Sequence, residues 1–294
     1  MGLLLGTALD AVLPDPRRGH PVAGFGTAAT ALERRIYADD RGRGALYAGI
    51  CVGGAVLAGR VLPRRSLAVA AATWTVLGAR SLRAEAGALA DLLAAGDLPA
   101  ARRRLTHLVG RDPSGLDEAG IARAAVESVA ENTCDAIVAP LFWGAVAGAP
   151  GLLGYRAANT LDAMVGSRSP RYRRFGWASA RLDDVLNLVP ARLTAVLVAA
   201  VAPLAGGSAT GALRVAARDG HRHPSPNSGY GEAAYAGALG LRLGGRNVYE
   251  GRVEDRPVLG DGRPAQAGDL RRAARLCAAV TAAAAVCAAA GARR

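Results

Sequence analysis

Aromatic side chains are scarce: Phe, Trp and Tyr make up 4% of the 294 residues. A protein that held its ligands by ring stacking would need more of them. Cysteines are few and isolated. Cys51, Cys134, Cys277 and Cys287 form no CxxC pair and no zinc-ligand spacing, so they read as small buried hydrophobes. Only Cys134 adjoins candidate chemistry, next to Asp135. The chain lacks a GxxxxGK[ST] phosphate loop, a GxGxxG after a strand, a GxSxG elbow and an HExxH pair. Any nucleotide bound here must be held by metal, carboxylates and arginines. Alternating strand patterns are scarce, and no repeat period emerges. The N-terminal MGLLLGTALDAVLPDP has no basic n-region and no small-residue cleavage site, so it reads as retained structure.

What is abundant is small and apolar. Hydrophobic residues make up 51% and the mean hydropathy is +0.18, with Ala supplying much of both, and Gly is abundant beside it. Small residues suit close helix–helix approach in a bilayer. Net charge is +12 and the pI about 10.6. The arginines lie in loops between apolar runs, not on one basic helix. That argues against a nucleic-acid binder and favours positive loops beside membrane segments or sites for anionic substrates. Candidate membrane segments fall at about 1–13, 45–62, 66–79, 136–154, 188–206 and 273–290. Several are shorter than the ~20 residues a perpendicular span needs. Arg60 and Arg192 interrupt two of them, by snorkelling or by facing the protein interior. A soluble helical core is the alternative, and the runs at 188–206 and 273–290 argue against it. Residues 80–126 read as amphipathic helices, with a joint at GDLPAARRRL that places Pro99 near a helix start. Region 207–268 reads as a His/Pro loop, a helix EAAYAGALGLRL closed by Gly244-Gly245, and an irregular stretch. The class is all-α: one polytopic helical membrane domain over 1–294.

Three acidic clusters sit beside apolar runs, where charge is costly. They are Glu127-x3-Glu131-Asn132-x2-Asp135, Asn159-x2-Asp162 and Asp183-Asp184-x2-Asn187. On a helix, Glu127, Glu131 and Asp135 share one face, and like charges at that spacing repel. A cation, or a substrate carrying one, would offset the cost. Carboxylates and Asn at these spacings offer hard oxygen ligands of the kind Mg²⁺ bridges to phosphates. The bland alternative is that Glu127 pairs with Arg123 and the others are solvated.

A simple span over 136–154 would leave Asp135 and Asp162 on opposite sides of the bilayer. Between them stands the helix-breaking quartet Gly148-Ala149-Pro150-Gly151. A chain folded there, rising about 1.5 Å per residue, returns Asp162 to nearly the height of Asp135. The expectation is a re-entrant or closely paired helical hairpin over 136–165, with the first two clusters facing each other.

The loop His221-Arg222-His223-Pro224-Ser225-Pro226-Asn227-Ser228-Gly229-Tyr230 is the second informative feature. Its serines and Asn227, with free N–H groups at the following helix start, suit a phosphate or carboxylate. Arg222 and His223 add charge. The HxH pair could instead ligate a metal, but no third ligand accompanies it. Asp15-Pro16-x3-His20-Pro21 sets an acid and a histidine on a rigid turn; such a histidine is more often structural than catalytic.

These strings together resemble the membrane-bound cobinamide-phosphate synthase family of cobalamin biosynthesis. The matches are DPRRGHPV, ESVAENTCDAIVAPLFWGAVAGAPG, YRAANTLDAMVG, FGWASARLDDVLNLVPARLTA, HRHPSPNSGYGEAAYAGALGLRLGG and NVYEG, in family order over most of the chain. Ser228 and Tyr230 stand where Ala and Trp are expected in many relatives, near-conservative changes. The resemblance implies a multi-pass protein of the bacterial inner membrane. It implies ATP-dependent amide ligation of adenosylcobyric acid to (R)-1-aminopropan-2-ol O-phosphate, with Mg²⁺ and ATP, in company with other late cobalamin-pathway enzymes. Under that reading Glu127, Glu131, Asp135, Asp162, Asp183 and Asp184 handle metal and phosphate, with Asn132, Asn159 and Asn187 orienting ligands. Arg222, His223, Ser225 and Asn227 hold the aminopropanol phosphate or the γ-phosphate. Glu131, Asp135, Asp184 and His20 are the catalytic candidates, His20 or one of the carboxylates being the base. The competing readings are a membrane prenyl- or phosphatidyl-transferase using Mg-diphosphate, and a non-enzymatic permease or scaffold whose carboxylates line an ion path.

Overall fold

The computed structural model describes residues 1–292 except 17–18, 64, 111 and 250–251, with backbone only over 246–255. Arg17 and Arg18 of the DPRRGHPV string, and Glu250 and Gly251 of NVYEG, lie outside the described residues. In chain order the helices are α1 Gly2–Val12, α2 Pro21–Ile36, α3 Arg41–Val61, α4 Ser66–Val76, α5 Ala79–Ala94, α6 Leu98–Leu105 and α7 Glu118–Thr133. They continue as α8 Ala139–Val165, α9 Tyr172–Phe175, α10 Trp177–Val201, α11 Ala209–Asp219, α12 Ser228–Leu239 and α13 Ala267–Gly291. Strands β1 Leu241–Tyr249, β2 Arg252–Leu259 and β3 Arg263–Pro264 form one small sheet of order β2-β1-β3. The starts follow cap chemistry: Asp40, Asp97, Asp117 and Ser208 each accept a first-turn N–H, and Pro21 and Pro99 stand in the first turns of α2 and α6.

Among the described residues, four stretches are long and apolar enough to cross a membrane: Arg41–Val61, Glu118–Val165, Trp177–Ala205 and Ala267–Gly291. The chain is a polytopic helical membrane protein. The expected segments at 1–13 and 66–79 become the 11-residue helices α1 and α4, too short to span and packed on each other. The expected segment at 188–206 starts earlier, at Trp177, so the third acidic cluster lies inside a span-capable helix.

The chain divides into two compact units, where the sequence suggested a single domain. The first comprises 1–78, 135–188 and 284–294; the second comprises 79–134 and 189–283. In the first, α3 packs along α8, and Ala29, Tyr47, Ala48, Cys51, Leu161, Val165 and Phe175 form a buried cluster. Its central feature is a break in α8. Gly148 has φ 64° and ψ −151°, a combination essentially reserved for glycine. Beyond it the chain reverses: Gly144 faces Leu152, and Gly151 packs against the carbonyl of Trp143. This is the expected hairpin over 136–165.

In the second unit α5, α6 and α7 pack together, and α12 packs on α7 and α11. Gly237 meets the backbone of Gly211 so closely that a Cβ would collide. Helix α12 ends at Gly240 in the left-handed conformation, not at Gly244-Gly245. Those two glycines, at φ 80° and 84°, instead form an irregularity in β1. The stretch read as irregular is therefore a hairpin of β1 and β2, which glycine and arginine disguise because neither marks a strand.

Candidate functional site

Each unit builds a polar centre of its own. In the first, the hairpin returns Tyr155 to the start of its descending arm. The Tyr155 hydroxyl donates to Asn187 Oδ1 at 2.9 Å and lies 3.3 Å from the Asp135 carbonyl oxygen. Asn187 Nδ2 donates to Asp183 Oδ2 at 3.0 Å, and Asn159 Nδ2 donates to Asp183 Oδ1 at 3.3 Å. One chain of hydrogen bonds thus joins Asp135, Asn159, Asp183 and Asn187, members of all three acidic clusters. Trp143 Nε1 donates to the Leu186 carbonyl at 3.0 Å and ties the hairpin to α10. Asp162 lies at the far end of α8, its carboxylate leaning over Gly166.

Asp184 takes another direction. It pairs with Arg181 at 3.4 Å and lines a cavity with Arg41, Arg168 and Arg173. Successive helical residues point about 100° apart, so Asp183 and Asp184 meet different partners. Asp135 is likewise set apart from its cluster. Helix α7 ends at Thr133, and Cys134–Val138 form one π turn, so the regular face of Glu127 and Glu131 stops there.

Sequence reasoning missed two residues of this centre. Tyr155 carries no motif signal, because its role depends on a contact twenty positions back. Arg156 offers a buried Nε without a hydrogen-bond partner and lies in the electrostatic reach of Asp135 and Asp15. Nearby, His20 caps α2: its Nδ1 accepts the Val22 N–H at 3.3 Å, and its Nε2 stands 3.8 Å from Asp15.

In the second unit α7 and α12 face Glu127, Glu131 and Glu232 into one cavity of about 200 Å³, shared with Ser128 and Arg256. Glu127 Oε1 accepts the Gly244 N–H at 2.8 Å and lies 3.9 Å from Arg123, whose guanidinium also bonds the Gly244 carbonyl. Glu131 Oε1 accepts from Ser228 Oγ at 3.0 Å. Asn132 folds back onto its own helix, donating to the Ser128 carbonyl at 2.9 Å. His223 is buried beside this cavity. Its Nδ1 accepts the Ser225 N–H at 3.0 Å, which puts the neutral-ring proton on Nε2, 3.8 Å from Glu232 and 3.4 Å from Arg256. Burial, reinforced by Arg256, holds the His223 pKa below the ordinary imidazole value, against the opposing pull of Glu131.

The rest of the loop is more structural than its sequence suggests. Ser225 Oγ already accepts the N–H groups of Asn227 and Ser228, both at 3.3 Å, so the start of α12 is not an open row of donors. Asn227 Oδ1 accepts from Arg192 at 2.8 Å, and Arg192 stacks on Tyr230 at 4.0 Å. Arg192 thus faces the interior. Arg222 joins Arg218 on Asp219, a buried hub that also accepts the Gly260 N–H at 2.9 Å. The Arg218 hydrogen bonds bring the Asp219 pKa down to about 2.

Among the described residues, no three His, Cys, Asp or Glu side chains converge as a preformed metal cluster. The Glu127–Glu131–Glu232 cavity nonetheless fits Mg²⁺ chemistry. Mg²⁺ commonly keeps several waters and takes one or two carboxylates, and this cavity is polar and lined by three.

The family model described as CobD/Cbib protein matches residues 3–277. Curated relatives named cobalamin biosynthesis protein CobD align over most of the chain. A Mycobacterium tuberculosis protein is 55% identical, covering 97% of this chain and 93% of its own length. The Geobacter metallireducens protein is 50% identical, covering 88% and 86%. A Rhodobacter capsulatus protein is 45% identical, covering 85% and 82%. No solved structure matches the chain.

Proposed function

Because the chain belongs to the CobD/CbiB family, we propose that it is a membrane enzyme of cobalamin biosynthesis and joins adenosylcobyric acid to (R)-1-aminopropan-2-ol O-phosphate at the cost of ATP. The observation that carries the reading is the cavity that Glu127, Glu131 and Glu232 share with Arg256 beside His223. An amide ligase must tolerate phosphate-bearing partners, give up an amine proton and keep a donor near developing negative charge. This cavity pairs carboxylates with the Arg256 guanidinium, beside a buried imidazole.

A carboxylate does not acylate an amine at neutral pH, so the corrinoid carboxylate first takes a phosphoryl group from ATP, releasing ADP. The amine nitrogen then attacks that carbonyl carbon, inorganic phosphate leaves, and the ammonium proton passes to a base. Mg²⁺ held by Glu131 and Glu232 would neutralise phosphoryl oxygens. Arg256, which lines the cavity, would hold substrate phosphate, with the Nε2 of His223 beside it, 3.8 Å from Glu232. The chain contains no lysine, so the base is a carboxylate or a histidine. We assign it to a carboxylate, since three line the cavity and the two candidate histidines, His20 and His223, use Nδ1 to accept a backbone N–H, leaving a protonated Nε2 in the neutral ring. In the first unit Asp183, fixed by Asn159 and Asn187, would accept hydrogen bonds from donor groups of a substrate. The site of action is the bacterial inner membrane.

The test is direct. Purified protein in nanodiscs receives adenosylcobyric acid, aminopropanol phosphate, ATP and Mg²⁺, and cobinamide phosphate and ADP are measured by mass spectrometry. Product from wild type, falling roughly 10²-fold or more in Glu131→Gln and Glu232→Gln, supports the reading. Product that forms without ATP, or at wild-type rate in both variants, overturns it.

A further inference from the structure

The arginine-lined cavity of the first unit plays no part in the chemistry above. It measures about 540 Å³ and is lined by Arg41, Arg168, Arg173, Arg181, Trp177 and Asp184, among others. Four guanidiniums face one carboxylate. Arg181 pairs with Asp184 at 3.4 Å, and Arg41 lies over the Trp177 ring at 6.0 Å. Like charges held together this way repel one another unless an anion sits among them.

The place of the cavity says what kind of anion. It lies where three span-capable stretches begin or end: α3 begins at Arg41, α8 ends at Val165, and α10 begins at Trp177. The ends of such helices lie at the membrane–water boundary, where Trp and Arg both concentrate. Trp177 is 40% exposed, with its Nε1–H bonded to the Arg41 carbonyl at 2.9 Å. Along α10 the lining residues Trp177, Arg181 and Asp184 share one helical face. That face continues with Val185 and Leu188, which are 61% and 42% exposed. A charged cavity thus opens onto an exposed apolar stripe running along a span-capable helix. A soluble phosphate ester would use the cavity and leave the stripe bare. An anionic phospholipid would use both.

We propose that this cavity binds the headgroup phosphate of an anionic phospholipid, with an acyl chain lying along Val185 and Leu188. Arg168 and Arg173 supply charge from the α8–α10 connection, Arg41 and Arg181 from the helix ends. Asp184 keeps Arg181 oriented. The site is independent of the ligation chemistry.

The full-length protein in mild detergent, titrated with phosphatidylglycerol or phosphatidylcholine of equal chain length, provides the test by native mass spectrometry. Wild type should prefer phosphatidylglycerol. Arg168→Gln/Arg173→Gln should lower that preference roughly tenfold or more, since each arginine near a headgroup contributes appreciably. Arg34→Gln/Arg103→Gln, which removes the same charge elsewhere, should leave it unchanged, and Arg168→Lys/Arg173→Lys should largely retain it. Val185→Ser/Leu188→Ser should weaken both lipids alike. The proposal fails if the glutamine pair keeps the wild-type preference or the serine pair binds both lipids as wild type does. It also fails if millimolar inorganic phosphate or aminopropanol phosphate displaces phosphatidylglycerol, which would assign the cavity to a soluble phosphate ester.

Discussion

The hydroxyl of Tyr155 lies 3.3 Å from the carbonyl oxygen of Asp135, twenty positions earlier in the chain. In one continuous helix those residues would stand about 30 Å apart. The contact exists because α8 reverses at Gly148, and it makes Tyr155 the pin that joins the hairpin to Asn187 on α10.

Tyr155→Phe keeps the ring and removes the pin. Asn187 is buried, so its Oδ1 loses a donor that water cannot readily replace. The expected loss is about 1–3 kcal/mol, read as a lower melting temperature in detergent, with amide formation impaired because Asp183 loses the orientation of its Asn187 partner. An unchanged melting temperature would show that the hydrogen bond is not formed.

Asp183 and Asp184 are neighbours in sequence with different surroundings, and matched substitutions should separate them. Asp183→Asn sets a third amide against the amide donors of Asn159 and Asn187, so product formation should fall sharply. Asp184→Asn breaks a partly exposed pair with Arg181, with a stability change of about 1 kcal/mol or less from that pair and product formation close to wild type. Equal turnover losses in the two variants would refute the division.

Gly148→Ala should destabilise the hairpin by about 1–3 kcal/mol, because a Cβ is strained at φ 64° and ψ −151°. With the hairpin intact, single cysteines at positions 135 and 162 should be modified by an impermeant maleimide from the same side of the membrane. Labelling from opposite sides would mean that 136–165 crosses without turning back.

The acid limb of stability should carry a His223 signature. Burial first, and Arg256 second, hold its pKa below the ordinary 6.5 in the folded chain. The unfolded chain therefore takes up this proton at higher pH than the folded chain does. Stability is flat in this group above about pH 6.5 and falls as pH drops from there toward the lowered folded value. Melting curves from about pH 7.5 to about pH 5 should show a steeper decline for wild type than for His223→Asn, whose Oδ1 can still accept the Ser225 N–H. Parallel declines would rule this histidine out as the source.

Much of this was legible along the chain. Short-range signals were enough for the acidic clusters, the helix breaker at Gly148–Gly151, the capped joint before α6 and the helical class, because caps, breakers and helical spacing act within a few residues. The β1–β2 hairpin was not legible: its pairing rests on contacts along β1, where Gly244 and Gly245 break any strand pattern.

The sequence by itself determined where carboxylates stand and where the chain must bend, since both follow from residue type and local backbone preference. The tertiary structure decided what each carboxylate faces. Only folding put Glu232 of α12 with Glu127 and Glu131, buried His223 beside them, and gave Asp183 two amides while Asp184 turned to arginines. The reason is physical: one residue of helix rotates a side chain by about 100°, and its partners come from segments brought near by packing, whose identity no local pattern encodes.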